Sequence, residues 1–266
     1  MKIRCTILAL LFFVLILQSC KPQKQKETIV IITTEFGNMK IKLYNETPLH
    51  RDNFINLIKK GYFTNKIFER VIKDFMIQGG SSSDSVINDP NPETAYTYTI
   101  PAEFNPKFYH KKGALAAARK SDFVNPNRES TPTQFYIVQG SKFTDEQLNQ
   151  VENGINTQMI QLQAKIYYQQ SVKKLQLSGE SYSDQTIIQQ AISKASEENS
   201  KKPFKFSDEQ RQTYKTIGGA PHLDGTYTVF GEVIEGLNIV DSIAKVKTNA
   251  KDKPLKEIKF SVKIQE

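Results

Sequence analysis

The sequence predicts a mainly β fold, a closed antiparallel barrel, and three observations carry that expectation. Short apolar runs alternate with polar residues. Gly- and Asn-bearing turns separate them. A single helix signal stands near each end of the run of strands. The first two segments, "TIVIITTE" and "MKIKLY", flank Phe36-Gly37-Asn38, a turn suited to a hairpin. A helix follows, with Thr47 as N-cap, Pro48 at the first helical position and Gly61 at the C-terminal stop. Phe54, Leu57 and Ile58, with Ile55 at the edge, give it an inward face. "KIFERVI" and "DFMIQGG" form a second strand pair. Ser81 to Thr94, with Pro90 and Pro92, is expected as a surface loop. "YTIPAEF" leads into "GALAAARK", a strand whose alanines allow something to approach closely. After a loop from Asn125 to Pro132, "TQFYIVQ" and "YTVFGEVI" are strands. Leu237 to Ala244 has helical period, and "EIKFSVKI" closes the chain with Ile258, Phe260, Val262 and Ile264 alternating inward.

Residues 141–217 break this pattern. They are rich in glutamine and carry helix signals, so they are expected as a helical insertion between two barrel strands. Thr144-Asp145-Glu146-Gln147 is a capping box, with Phe143 and Leu148 as its staple. Leu148, Val151, Ile155, Met159, Leu162 and Ile166 then recur at spacings of three and four, with Gly154 a weak point. A second helix is expected from Ser183 to Ala195, packing through Ile187, Ile188, Ala191 and Ile192. Ser207-Asp208-Glu209-Gln210 repeats the capping box before Gly218-Gly219.

The chain has 266 residues and a net charge of +8, with lysines scattered over its length. Scattered charge is a solvated basic surface rather than a nucleic-acid stripe. "MKIRCTILALLFFVLILQSC" opens with a basic stretch, continues with an apolar run from Ile7 to Leu17, and ends at Cys20. That run is shorter than the roughly 20 apolar residues a membrane span needs and has the form of an export leader. Leu17-Gln18-Ser19-Cys20 resembles a bacterial lipobox. The expectation is therefore a lipoprotein signal peptide at 1–19, a lipid on Cys20, a polar tether at 20–27 and a folded domain at 28–266, held in the periplasm on an envelope membrane. Cys5 leaves with the leader, so the folded part has no thiol for a disulfide, a nucleophile or a thiolate metal site. His50, His110 and His222 show no metal-ligand spacing and are expected as surface or loop histidines.

Arg70 is the residue that asks for a function. It lies in "FERVIKDFMIQGG", an apolar segment, and a guanidinium is rarely buried without a partner. Either it is exposed, or an acid such as Glu69 or Asp74 pairs with it, or its partner is a ligand. Here the sequence resembles the cyclophilin family of peptidyl-prolyl cis-trans isomerases. "FERVIKDFMIQGG" matches the family's F-x-R-V-x-x-x-F-M-x-Q-G-G, "TQFYI" its S-Q-F-F-I, and "HLDGTYTVFGEVIEG" its L-D-G and V-F-G-x-V stretch, with "GALAAAR" as the groove strand. The motifs occur in family order from Thr28 to the C-terminus, outside the insertion.

The resemblance implies an eight-stranded antiparallel barrel capped by two helices, isomerase activity on X-Pro bonds, and neither metal nor cofactor; with the export leader, the expected task is folding of exported proteins. It makes Arg70 the catalytic donor with Gln78 beside it. It places Phe75, Met76, Phe135 and Leu223 as the apolar socket for proline, with Tyr227 at its edge. It gives the backbone at Ala118 and Arg119 the task of holding the peptide extended, and Gln134 that of supporting the groove. Its partners would be proline-containing segments of unfolded proteins, and the domain is expected as a monomer. His222 stands where cyclosporin-sensitive members carry tryptophan. The competing reading is a non-catalytic chaperone or scaffold module of the same fold that only binds proline segments.

Overall fold

The structure, a computed structural model, describes residues 27–81 and 98–266. The expected leader, Cys20, nearly all of the expected tether and most of the expected Ser81–Thr94 loop lie outside the described residues. Eight strands close into one antiparallel barrel: β1 (Thr28–Thr34), β2 (Gly37–Leu43), β3 (Lys66–Ile72), β4 (Met76–Gly79), β5 (Ala114–Ala117), β6 (Phe135–Val138), β7 (Val229–Glu235) and β8 (Lys259–Ile264). Around the barrel they run β1-β2-β7-β5-β6-β4-β3-β8. The first hairpin turns through Glu35 and Phe36 alone, because Gly37 already pairs with Thr34.

Period-2 alternation sends every second side chain inward. Val30, Ile32, Met39, Ile41, Ile77, Leu115, Phe135, Ile137, Phe260 and Val262 fill one interior cluster. Both faces of β5 and β6 are buried, and the outward residues Ala114, Ala116, Tyr136 and Val138 form a second cluster outside the barrel wall, with Met76 of β4 and Val229. The outer cluster underlies the site described below.

Helices α1 (Pro48–Lys59) and α5 (Leu237–Ala244) cap the barrel, and α1 buries Phe54 and Leu57 as expected. Its N-terminus corrects the sequence reading. Thr47 sits at the N-cap position, but its side chain makes no capping bond. Glu103 caps instead, accepting from Leu49 N–H at 3.1 Å and His50 N–H at 3.0 Å. Its negative charge also suits the positive end of the helix dipole. The expectation that the histidines lie on the surface fails for two of the three. His50 and His110 are 2% and 1% exposed. Each is satisfied by a carboxylate, Glu103 for His50 and Asp224 for His110. Burial holds the His50 imidazole below its ordinary pKa even though Glu103 pulls the other way.

The segment 141–217 holds three helices: α2 (Asp145–Ser178), α3 (Asp184–Lys201) and α4 (Asp208–Thr216). Both capping boxes form, at Thr144 with Gln147 and at Ser207 with Gln210. Helix α2 runs through Gly154 unbroken for 34 residues, about 50 Å at 1.5 Å per residue. Its apolar stripe divides. Leu148 and Ile155 pack with Phe206 and Tyr214. Farther along, Ala164, Ile160, Tyr167 and Tyr168 pack with Ala191 and Ala195 of α3. Met159, Ile188 and Ile192, expected in this interface, are 41%, 46% and 48% exposed. Small residues let two helices approach closely, and here the alanines set the contact line.

Candidate active site

A pocket of about 120 Å³ opens on the outer face of β3, β4 and β6, lined by Arg70, Phe75, Met76, Gln78, Ala118, Arg119, Tyr136, Leu223 and Tyr227. One water needs roughly 10–15 Å³ by this measure, so the space suits a small ring. Its walls are apolar and aromatic. Of its polar groups, Arg70 and Gln78 are directly paired across β3 and β4, and Arg119 stands in the wall. A bulge between Phe68 and Arg70 shifts the register there and helps aim Arg70.

Arg70 keeps 44% of its side chain exposed and places Nε 3.4 Å from Oδ2 of Asp252. The sequence offered Glu69 and Asp74 as partners; the structure supplies an acid 182 residues away. Asp252 sits in a left-handed conformation, φ 61°, in the loop before β8. Its carbonyl accepts from Val71 N–H at 2.8 Å, which ties this loop to β3. Gln78 and Gln134 both direct Nε2 toward Oε1 of Glu69, at 3.4 and 3.5 Å. Gln134 therefore stands beside the pocket, outside its lining.

Two expected roles need correction. Phe135 points into the barrel, where it is 1% exposed among Phe54, Phe63 and Phe260. Its neighbour Tyr136 faces the pocket, because adjacent strand residues point to opposite faces. The backbone of Ala118 is already engaged: its N–H donates to Gln134 O at 3.0 Å, and its carbonyl accepts from Thr131 N–H at 2.8 Å. Ala118 thus lends the pocket only its surface. Among the described residues no hydrogen bond engages the backbone of Arg119, which leaves it free to meet a peptide. The Arg119 side chain builds the wall. Its guanidinium donates to Thr226 O at 2.7 Å and to the Asp122 carboxylate, and it covers the Tyr227 ring at 4.4 Å.

Below the pocket lies a buried polar chain that the sequence reading missed. Asp224 accepts at Oδ1 from both the His110 backbone N–H and the ring Nδ1–H, each at 2.8 Å. A carboxylate only accepts, so Nδ1 carries the proton, and Nε2 meets the Tyr136 hydroxyl at 3.0 Å. Tyr214 of α4 donates to Asp224 Oδ2 at 2.6 Å. Burial, reinforced by nearby Tyr227 and Asp224, pushes the Tyr136 phenol far above its ordinary pKa, so it remains a neutral donor. The alternation in "TQFYIVQ" was the available signal for Tyr136. Asp224 was visible only as part of a motif, and Tyr214 and Asp252 gave no local signal.

The arrangement can seat an apolar ring against aromatic walls with a guanidinium at its rim. The family model for cyclophilin type peptidyl-prolyl cis-trans isomerase/CLD matches residues 29–203 and 156–263. A Staphylococcus epidermidis protein and a Staphylococcus aureus protein, each named "Putative peptidyl-prolyl cis-trans isomerase", are 27% and 28% identical over 239 residues, covering 90% of this chain and 91% of theirs. A crystal structure of a Cryptosporidium parvum cyclophilin type peptidyl-prolyl cis-trans isomerase superposes with a TM-score of 0.54 at 18% identity, over 91% of this chain and 99% of that one. The same protein, crystallised in the presence of the dipeptide Ala-Pro, gives 0.52 at 19% identity over 90% and 99%. The eight-strand closure, the pocket on its outer wall and a family match spanning the barrel agree, and the chain belongs to the cyclophilin-type peptidyl-prolyl cis-trans isomerases.

Proposed function

We propose that this pocket accelerates rotation about X-Pro bonds, with Arg70 as the catalytic residue. The supporting observation is the Arg70 guanidinium at the rim of an apolar socket made by Phe75, Met76, Tyr136 and Leu223. Amide resonance sets a barrier of about 18–20 kcal/mol. In the twisted transition state the proline nitrogen recovers its lone pair and accepts hydrogen bonds better than in either planar form. A donor aimed at that nitrogen therefore stabilises the transition state selectively. An acceleration of about 10⁵ requires about 7 kcal/mol. The free backbone of Arg119 holds the peptide extended, the socket fixes the ring, and Gln78 lies beside Arg70 to orient the flanking carbonyl. The test is Arg70→Ala in a proline-peptide isomerisation assay. Turnover should fall at least about a hundredfold, near 3 kcal/mol, with the fold intact. A folded variant with full activity refutes the role, and tight peptide binding by a wild type without turnover would favour a binding module.

The substrates we infer are proline-containing segments of exported proteins, a reading supported by the leader at 1–19 and the Leu17-Gln18-Ser19-Cys20 sequence. On this reading Cys20 carries a lipid that holds the domain at an envelope membrane. Mass spectrometry of the mature N-terminus checks it: an unlipidated residue there rules out the anchor.

A further inference from the structure

A second cavity, of about 270 Å³, adjoins the proline pocket and is lined by Arg119, Ser121, Asp122, Gln158, His222, Leu223, Thr226 and Tyr227. Arg119, Leu223 and Tyr227 belong to both, so the stacked Arg119–Tyr227 pair is the partition between them. One wall comes from the insertion. Helix α2 packs against the Pro221–Leu223 turn and contributes Gln158. Seven residues on, and so on the same face of the helix, Lys165 holds Nζ 4.8 Å from the centre of the Phe123 ring. Phe123 itself is 81% exposed. These two contacts set α2 against the Pro221–Leu223 turn on one side and the loop that follows β5 on the other.

The charges in this region do not balance. Asp122 is shared by two guanidiniums, Arg119 and Arg128. The ionic cluster keeps one positive charge in excess, and Lys165, over Phe123 on the same loop as Asp122, adds a second. Gln158, Ser121 and Thr226 offer neutral hydrogen-bonding groups between them.

We propose that the insertion completes a second subsite, beside the proline pocket, that receives an acidic side chain of the peptide flanking the X-Pro unit. This deepens the isomerase reading and rests on it. Helix α2 then acts as a specificity element, selecting proline segments by their neighbouring charge. Lys165 and Gln158 are the selecting residues, and both are exposed on α2, so replacing them leaves its packing in place.

The test uses the full chain and proline tetrapeptides with Glu, Gln, Lys or Ala placed on either side of the X-Pro unit. Both kcat/KM and peptide Kd are measured at low and high salt. On one flank the Glu peptide should exceed the Lys peptide at least fivefold at low salt, with Gln between them, and the gap should shrink at high salt. Lys165→Glu should abolish or invert that ratio while the Ala peptide stays within twofold. Lys40→Glu makes the same change of net charge on β2, across the barrel, and should leave the ratio intact. Equal Glu and Lys peptides in the wild type, or a ratio that moves equally in both variants, overturns the subsite. An Ala peptide that is bound without being turned over defeats the isomerase reading instead, and the Kd ratios still decide the subsite.

Discussion

Removing the Asp224 carboxylate should loosen the joint between insertion and barrel. This side chain is 4% exposed. It accepts three hydrogen bonds, two from His110 at 2.8 Å and one from Tyr214 at 2.6 Å. Asp224→Ala strands three buried donors, each costing about 1–3 kcal/mol. Some relaxation and water entry will lower the sum, so the expected loss is about 4–6 kcal/mol, a large part of the 5–15 kcal/mol that holds a typical domain together. Asp224→Asn keeps an acceptor for His110, and the Tyr214 hydroxyl can turn to accept from the new amide, so about 1–2 kcal/mol is expected. Tyr214→Phe removes one bond and should also cost about 1–2 kcal/mol. Urea denaturation of the three variants and of Asp224→Ala/Tyr214→Phe measures these values. The double variant should lose clearly less than the sum of its singles, because both delete the same contact. A loss below about 1 kcal/mol for Asp224→Ala, or strict additivity in the cycle, would refute the reasoning. Asp224→Ala should also slow isomerisation even where it stays folded, because Leu223 loses its anchor and Tyr136 its ordered partner.

Asp252→Gly suits the left-handed backbone at φ 61° and removes only the carboxylate beside Arg70. A half-exposed pair is worth at most about 1 kcal/mol, so kcat should fall by up to about fivefold with KM unchanged. Asp252→Asn should recover part of the loss, and an unchanged kcat in both would show that Asp252 does not orient Arg70. Stability should drop steeply above pH ~10. Burial raises the phenol pKa of Tyr44, Tyr136 and Tyr214, so the unfolded chain ionises first, near the ordinary value of about 10. The folded state then holds more protons, and each phenol contributes a loss of about 1.4 kcal/mol per pH unit above that point. Urea midpoints at pH 9 and 11 check this, and equal values would contradict it.

The barrel was legible because strand signals are local. The alternation of Ile258, Phe260 and Val262, and the helix from Leu237 to Ala244, are written within one turn or strand of each other. Both capping boxes are legible for the same reason, since Thr144 and Gln147, like Ser207 and Gln210, lie only three positions apart. What escaped was long-range. Glu103 caps a helix 53 residues before it, and nothing near Thr47 announces that its own hydroxyl turns back to the Tyr44 carbonyl instead of capping. His50 and His110 read as loop residues because their carboxylates come from distant segments. Phe135 was assigned to the socket by motif, although the strand period puts it opposite Tyr136. The α2 stripe was drawn from large side chains, while the contact with α3 runs along Ala164, Ala191 and Ala195, whose value lies in their small size.

The two ends of the insertion meet. Ser141 and Gly219 exchange backbone hydrogen bonds, at 3.2 and 2.9 Å. A Cβ on Gly140 would lie 2.4 Å from the Gly219 Cα, so the chains touch with no room for a side chain. To the barrel, everything between these residues is topologically one tight hairpin, however long it is. Closing a loop costs only about 0.6 kcal/mol more for each doubling of its length. Growth from a handful of residues to the present span therefore adds on the order of 2–3 kcal/mol, which helices with their own cores can offset. This junction works as a socket for exchangeable modules. Lineages could lengthen, shorten or replace the helices there without disturbing strand register, and an engineer could graft a different recognition element onto the same catalytic frame.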